Sequence, residues 1–186
     1  MGSVTVNPVP DATLSALTDE CESETTEQTL TANVTPSTLS GTGTWTGDIS
    51  KKTETTAGFT PSIAKAGLHN ITYSFISNDG CEMKQPATTS VNVFAMPNIT
   101  ISPSVSAICE SGANSGDVTM KMTGTYSTTG TKMQTFAYSS STLTGVDATT
   151  GTFNSNSQSE GNHTVSLMYT DANGCLGTAE TTVKVN

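Results

Sequence analysis

Residues 67–93 read GLHNITYSFISNDGCEMKQPATTSVNV, and residues 161–185 read GNHTVSLMYTDANGCLGTAETTVKV. Gly67 falls on Gly161, His69 on His163, Gly80 on Gly174 and Cys81 on Cys175, all at an offset of 94. Each stretch is an alternating run, an Asx-rich turn, a cysteine and a second alternating run. Alternation places every second side chain on one face of a strand. Asn78-Asp79-Gly80 supplies residues that tolerate the positive φ of a tight turn. The pattern is one β-hairpin written twice, and it predicts tandem β domains.

The chain has 186 residues, which suits two domains of about 90 residues. Outward from the hairpin, the repeat continues. Pro10-Asp11-Ala12-Thr13-Leu14-Ser15 falls on Pro97-Asn98-Ile99-Thr100-Ile101-Ser102, at an offset of 87. Repeat 1 is therefore assigned to residues 11–95 and repeat 2 to residues 96–186. In residues 1–10, Met1-Gly2-Ser3 reads as an expression scar. Val4-Thr5-Val6-Asn7 reads as the last strand of a preceding repeat, because it resembles Val183-Lys184-Val185-Asn186. On that reading the sequence was cut from a longer array.

Within repeat 1, strands are expected over residues 12–17, 29–34, 44–46, 58–60, 70–76 and 88–93. Repeat 2 should follow the same plan, with strands over 99–101, 105–108, 133–138, 152–154, 163–170 and 178–185, a strand carrying Val118, Met120 and Met122 on one face, and a loop over 139–150. About seven short strands with turn signals every 8–12 residues is the pattern of an Ig-like sandwich. No segment has helical periodicity. The fold class is all-β: two tandem Ig-like β-sandwich domains, one disulfide each. The junction from Phe94 to Asn98 is short and contains Pro97, so bending there should be limited.

Only 33% of residues are hydrophobic and 12% are charged, yet Thr alternating with Val, Ile, Tyr and Phe is a strand composition rather than a disordered one. The net charge is −9 and the chain contains no arginine. An acidic surface repels polyanions, so neither nucleic acid nor anionic lipid is an expected partner. No apolar run approaches the ~18 residues that span a bilayer, which argues against direct membrane insertion.

Cys21, Cys81, Cys109 and Cys175 fall in register, two per repeat. An even, repeating set without CxxC spacing reads as structural disulfides in an oxidising, extracellular compartment, not as a zinc site. A Cys21–Cys81 bond would close a loop of about 60 residues, worth roughly 4 kcal/mol. Four cysteines allow three connectivities, so the pairing stays open.

No catalytic residue is expected. His69 and His163 occupy equivalent positions in separate repeats, so they cannot cooperate, and each reads as a polar residue at the start of a strand. Asp171-Ala172-Asn173-Gly174 begins like a calcium loop but lacks the downstream glutamate, and reads as a hairpin turn. The acids Asp19, Glu20, Glu22 and Glu24 read as a solvated loop. Met120, Met122 and Met133 read as core rather than soft-metal ligands. Trp45 reads as core beside a disulfide, with sugar stacking as its alternative. Asn-x-Thr sequons at Asn33, Asn70, Asn98 and Asn162 read as chance. No metal and no cofactor are expected, and the ligand is unknown.

Several of these residues also carry a resemblance: Cys-Glu-Ser at 21–23 and 109–111, Gly43-Thr44-Trp45-Thr46-Gly47, Phe59-Thr60-Pro61, Ala66-Gly67 and Asn78-Asp79-Gly80-Cys81. Together they resemble the Ig-like or PKD-like repeats of large secreted surface proteins of Bacteroidota, including gliding-motility adhesins exported by the type IX system. The resemblance covers both repeats, although repeat 2 lacks the tryptophan and the proline after Phe-x. It implies a non-catalytic segment of a cell-surface adhesin, a stalk of β-sandwiches with weak surface or glycan adhesion through loops. The partners it implies are neighbouring repeats of the array and a polysaccharide or solid surface. Two alternatives remain at this stage. One is a carbohydrate-binding module using Tyr126, Tyr138 or Trp45. The other is a polymerising subunit that donates Val4 to Val6 to a neighbour's sheet edge.

Overall fold

The structure is a computed structural model that describes residues 2, 4–112, 115–125, 135–138, 143–144 and 150–186. The chain divides into two compact units, Met1–Ala95 and Met96–Asn186. Each is an Ig-like β-sandwich with its own core.

Unit 1 holds β1 (Asp11–Leu14), β2 (Glu20–Cys21), β3 (Gln28–Thr35), β4 (Gly41–Thr46), β5 (Ser50–Lys51), β6 (Thr56–Phe59), a single helical turn α1 (Pro61–Ala64), β7 (Gly67–Ser77) and β8 (Ala87–Phe94). One sheet runs β1-β3-β6-β5 and the other β2-β8-β7-β4. Unit 2 holds β9 (Asn98–Pro103), β10 (Ala107–Ile108), β11 (Asp117–Thr125), β12 (Thr135–Tyr138), β13 (Leu143–Thr144), β14 (Thr150–Asn154), β15 (Gly161–Thr170) and β16 (Leu176–Val185). Its sheets run β9-β11-β14-β13 and β10-β16-β15-β12. Strand for strand, the second order repeats the first.

Alternation builds the core. In β7, Ile71, Tyr73 and Phe75 are buried and the threonine and serine between them are not. They meet Leu30, Ala57 and Phe59 of the facing sheet. In unit 2, Val165, Leu167 and Tyr169 of β15 meet Val118, Met120 and Phe153. Burying one such side chain is worth about 1.5–3 kcal/mol. The hairpins turn where expected: Gly80 sits at φ 79° and Gly174 at φ 89°. Gly43 is required for another reason. A Cβ there would overlap the Glu54 carbonyl oxygen and lie 2.7 Å from the Tyr73 hydroxyl.

Residues 4–7 pair with neither sandwich, and Val4 and Val6 are 91% and 88% exposed. Several expectations are corrected. The opening strand ends at Leu14, not at residue 17, because Ser15 turns to bond Thr31 through both its N–H and its hydroxyl. The two-residue strands β2, β5 and β13 were not anticipated, nor was α1, whose four residues are too few to show a period. Of the loop expected over 139–150, residues 143–144 form β13, residue 150 opens β14, and the rest lie outside the described residues.

Candidate functional site

The four cysteines sit at the ends of the units. β2 pairs parallel to the finish of β8, which sets Cys21 opposite Phe94. Cys81 lies at the tip of the β7–β8 hairpin, where its carbonyl accepts the Ser77 N–H at 2.9 Å. The ladder from Gly67 to Ser77 separates the two, about 30 Å at 3.3 Å per residue. Unit 2 repeats this. β10 pairs parallel to the finish of β16, the Glu110 N–H donates to the Asn186 carbonyl at 3.0 Å, and Cys175 occupies the tip of the β15–β16 hairpin. A disulfide needs Cα atoms within about 7 Å. The expected bond inside each repeat, Cys21 to Cys81 and Cys109 to Cys175, is therefore ruled out by geometry. Cys21 and Cys175 are disulfide-bonded, while Cys81 and Cys109 are free thiols, each half-buried. Sequence spacing alone could not reveal this, because the parallel pairing of β2 decides which end Cys21 occupies.

The histidines share a structural role. His69 Nε2–H donates to the Lys65 carbonyl at 2.9 Å, and its ring lies 5.7 Å from Phe59 on the facing sheet. His163 Nε2–H donates to the Ser159 carbonyl at 2.7 Å, with its ring 5.7 Å from Phe153. Each ring closes the loop before its strand and caps a core phenylalanine. His69 Nδ1 also lies 2.8 Å from Asp48 Oδ2.

Trp45 is buried in β4 and stacks at 4.6 Å, tilted, on Tyr73. Its indole N–H has no hydrogen-bond partner. A buried ring cannot stack on a sugar, so Trp45 no longer supports a carbohydrate site. No disulfide lies beside it, since Cys21 and Cys81 occupy opposite ends of its sheet. Tyr126 and Met133 lie outside the described residues, and Tyr138 is described by its backbone alone.

Beside Trp45 is a polar clasp that the sequence did not announce. Glu54 Oε2 accepts the Gly43 N–H at 2.6 Å, and Lys51 Nζ donates to the Gly43 carbonyl at 2.8 Å and pairs with Glu54 at 3.0 Å. The Tyr73 hydroxyl donates to the Glu54 carbonyl at 3.0 Å. These bonds tie β4 and β7 of one sheet to β5 and the turn before β6 of the other. The Lys51 ammonium and the Gly43 N–H hold the Glu54 carboxyl below its ordinary range. Burial, aided by the Glu54 charge, pushes the Tyr73 phenol up to about 12.

Three of the candidate cation ligands are engaged by the backbone. Asp171 is buried and accepts the N–H groups of Asn173 and Cys175 at 2.9 and 2.8 Å, an Asx turn. Asp19 accepts the Asn92 N–H, and Glu24 accepts the Thr26 N–H, each at 2.8 Å. The hydroxyl and N–H of Thr26 lower the Glu24 carboxyl from its ordinary value. Met120 is fully buried beside Val118. Among the described residues, no three His, Cys, Asp or Glu side chains are grouped to hold a metal. A groove of about 340 Å³ between Glu27, Asp48, Ile49 and Ile63 has no aromatic residue in its lining.

No protein-family model and no curated protein sequence matches the chain. Among solved structures it is similar to Ig-like adhesion domains. One is the D00–D0 domain of intimin, at 12% identity over 95% of this chain and 100% of that one, with a TM-score of 0.47. Another is Drosophila N-cadherin EC1-4, at 8% identity over 96% of this chain and 50% of that one, with a TM-score of 0.48. A third is a 1.5-MDa bacterial ice-binding adhesin studied for host cell surface retention, at 16% identity over 98% of this chain and 66% of that one, with a TM-score of 0.43.

Proposed function

We infer that the chain is a non-catalytic repeat segment of an extracellular surface adhesin, a stalk whose loops add weak surface or glycan adhesion. One observation carries the reading. The same sandwich is built twice, strand order for strand order, and the histidines, the tryptophan and the buried aspartate that could have carried chemistry are spent on its framework. Repetition, with no site assembled among the described residues, suits spacing and display. The gliding-motility type and type IX export rest on the motif resemblance alone. The chain's partners, on this reading, are neighbouring repeats and a polysaccharide or solid surface.

Small-angle scattering of the oxidised chain tests the stalk. An extended profile is expected, and a profile of two units folded onto each other would overturn it. Binding of the labelled chain to immobilised polysaccharides and to glass then separates adhesion from spacing. Saturable binding to one glycan makes the repeats adhesive; none leaves them as stalk.

One observation favours a second reading, in which residues 4–6 are donated to a neighbour's sheet. Val4 and Val6 are exposed and unpaired, as a donor strand is before use. Concentration-dependent assembly that disappears on deleting residues 1–7 is its signature.

A further inference from the structure

Each unit carries one cysteine at the end where its chain enters and one at the end where its chain leaves. The leading end is fixed by the first strand. Val9, Pro10 and Asp11 line a cavity with Lys84 and Gln85, just past the Cys81 tip. In unit 2, a Cβ on Gly177 would lie 2.8 Å from the Pro97 carbonyl, just past the Cys175 tip. The trailing end is fixed by the last strand, which finishes at Phe94 beside Cys21 and at Val185, one residue before the Asn186 carbonyl that accepts the Glu110 N–H next to Cys109.

The two units present these cysteines in the same way. At the leading tip, the carbonyls of Cys81 and Cys175 accept the N–H of Ser77 and Asp171, both at 2.9 Å, and a side-chain oxygen of the same residue accepts the cysteine N–H, at 3.1 and 2.8 Å. At the trailing end, the N–H groups of Glu22 and Glu110 donate to the carbonyls of Phe94 and Asn186 at 2.8 and 3.0 Å. Position by position, one member of each equivalent pair is disulfide-bonded and the other is not. Trailing Cys21 is bonded and trailing Cys109 is free; leading Cys175 is bonded and leading Cys81 is free. The ladder of about 30 Å between a unit's two ends forbids a bond within the unit.

We propose that Cys81 and Cys109 are linkage sites. Cys109 forms a disulfide with the cysteine at the Cys81 position of the unit that follows, and Cys81 with the cysteine at the Cys109 position of the unit that precedes. This rests on the array reading above. The partner is another unit of this kind, because such a unit carries a thiol at the complementary end in the matching turn. In the reaction two thiols lose two protons and two electrons as the S–S bond forms. A low-molecular-weight disulfide takes them up. One thiolate attacks it, a mixed disulfide forms, and the second protein thiolate displaces the small thiol, so that two small thiols are released.

The test is a duplicated chain in which Pro8 of a second copy follows Asn186 directly. Val185-Asn186-Pro8-Val9-Pro10-Asp11 then reproduces the spacing of Val93-Phe94-Ala95-Met96-Pro97-Asn98. Each copy brings two free thiols. With glutathione disulfide as oxidant in a reversible glutathione buffer, the thiol titre should fall to half. Non-reducing digestion should yield one new cross-linked peptide, Cys109 of the first copy with Cys81 of the second. Replacing the first copy's Cys109 by serine should abolish that peptide and leave the second copy's Cys81 titratable. Retention of all the thiols, their capping by glutathione, or random pairing of all four would overturn the proposal. Scattering and glycan binding of the unduplicated chain are read separately. A failed stalk or adhesin reading with a closed junction, or the reverse, is therefore distinguishable.

Discussion

At the residue scale, the clasp around Tyr73 is the most exacting feature of unit 1. Tyr73 is fully buried, so its hydroxyl must find an acceptor, and the Glu54 carbonyl is that acceptor. Tyr73→Phe should cost about 1 kcal/mol, read from the urea midpoint at unchanged slope. Gly43→Ala should cost roughly 1–3 kcal/mol, because the new methyl strikes backbone as well as the tyrosine ring. The pH dependence has two arms. The phenol's raised value favours the protonated native state, so its contribution is fully present below the ordinary value of 10.0. It is lost as pH rises toward about 12, and the loss is on the order of 2 kcal/mol. Glu54 runs the other way. Its lowered carboxyl contributes above the ordinary 4.5 and loses that contribution as pH falls through the lowered value. Urea titrations across the alkaline range should show the first arm in the wild type and not in Tyr73→Phe. An unchanged alkaline limb in the wild type would remove Tyr73 from the account.

At the element scale, what could be read in advance depended on length. The hairpin strands β7, β8, β15 and β16 alternate over many residues and end in Asx-Gly turns, so their existence and pairing were legible. β2 is two residues long and has no period to detect, and β10 is only the last two residues of the strand expected over 105–108. Yet these short strands run parallel to the last strand and thereby set the cysteine geometry. A covalent pairing inferred from register alone failed for that reason: register fixes equivalence between repeats, not proximity within one. Trp45 was legible as core, but its neighbour is Tyr73 rather than a disulfide. The clasp was invisible because Lys51, Glu54 and Gly43 are brought together by sheet packing. The hairpin itself carries a prediction. Gly80 at φ 79° should tolerate alanine at a cost of about 1 kcal/mol, and Asn should be milder, since Asn visits that region more readily. Thermal midpoints of the two variants should rank in that order, and an alanine variant as stable as the wild type would contradict it.

At the scale of the whole molecule, each unit has a core drawn only from its own strands. A bond that joins the two ends of a sandwich cannot form inside it, so no unit depends on an internal staple. Residues 8–95 produced alone should therefore fold without a Cys21–Cys81 bond, and the dilute monomer should show both thiols titratable. Its thermal midpoint should be the same with and without reductant, within about 1 °C. Had the two cysteines been paired, opening a loop of some 60 residues would cost roughly 4 kcal/mol, which at this size moves the midpoint by many degrees. The two cases are separated well beyond the error of a melt. A reductant-sensitive midpoint, or loss of both thiols in a monomer, would restore the internal bond and require β2 to leave its place beside β8. An insensitive midpoint shows that the core of the unit, and not a bond between its two ends, holds it folded.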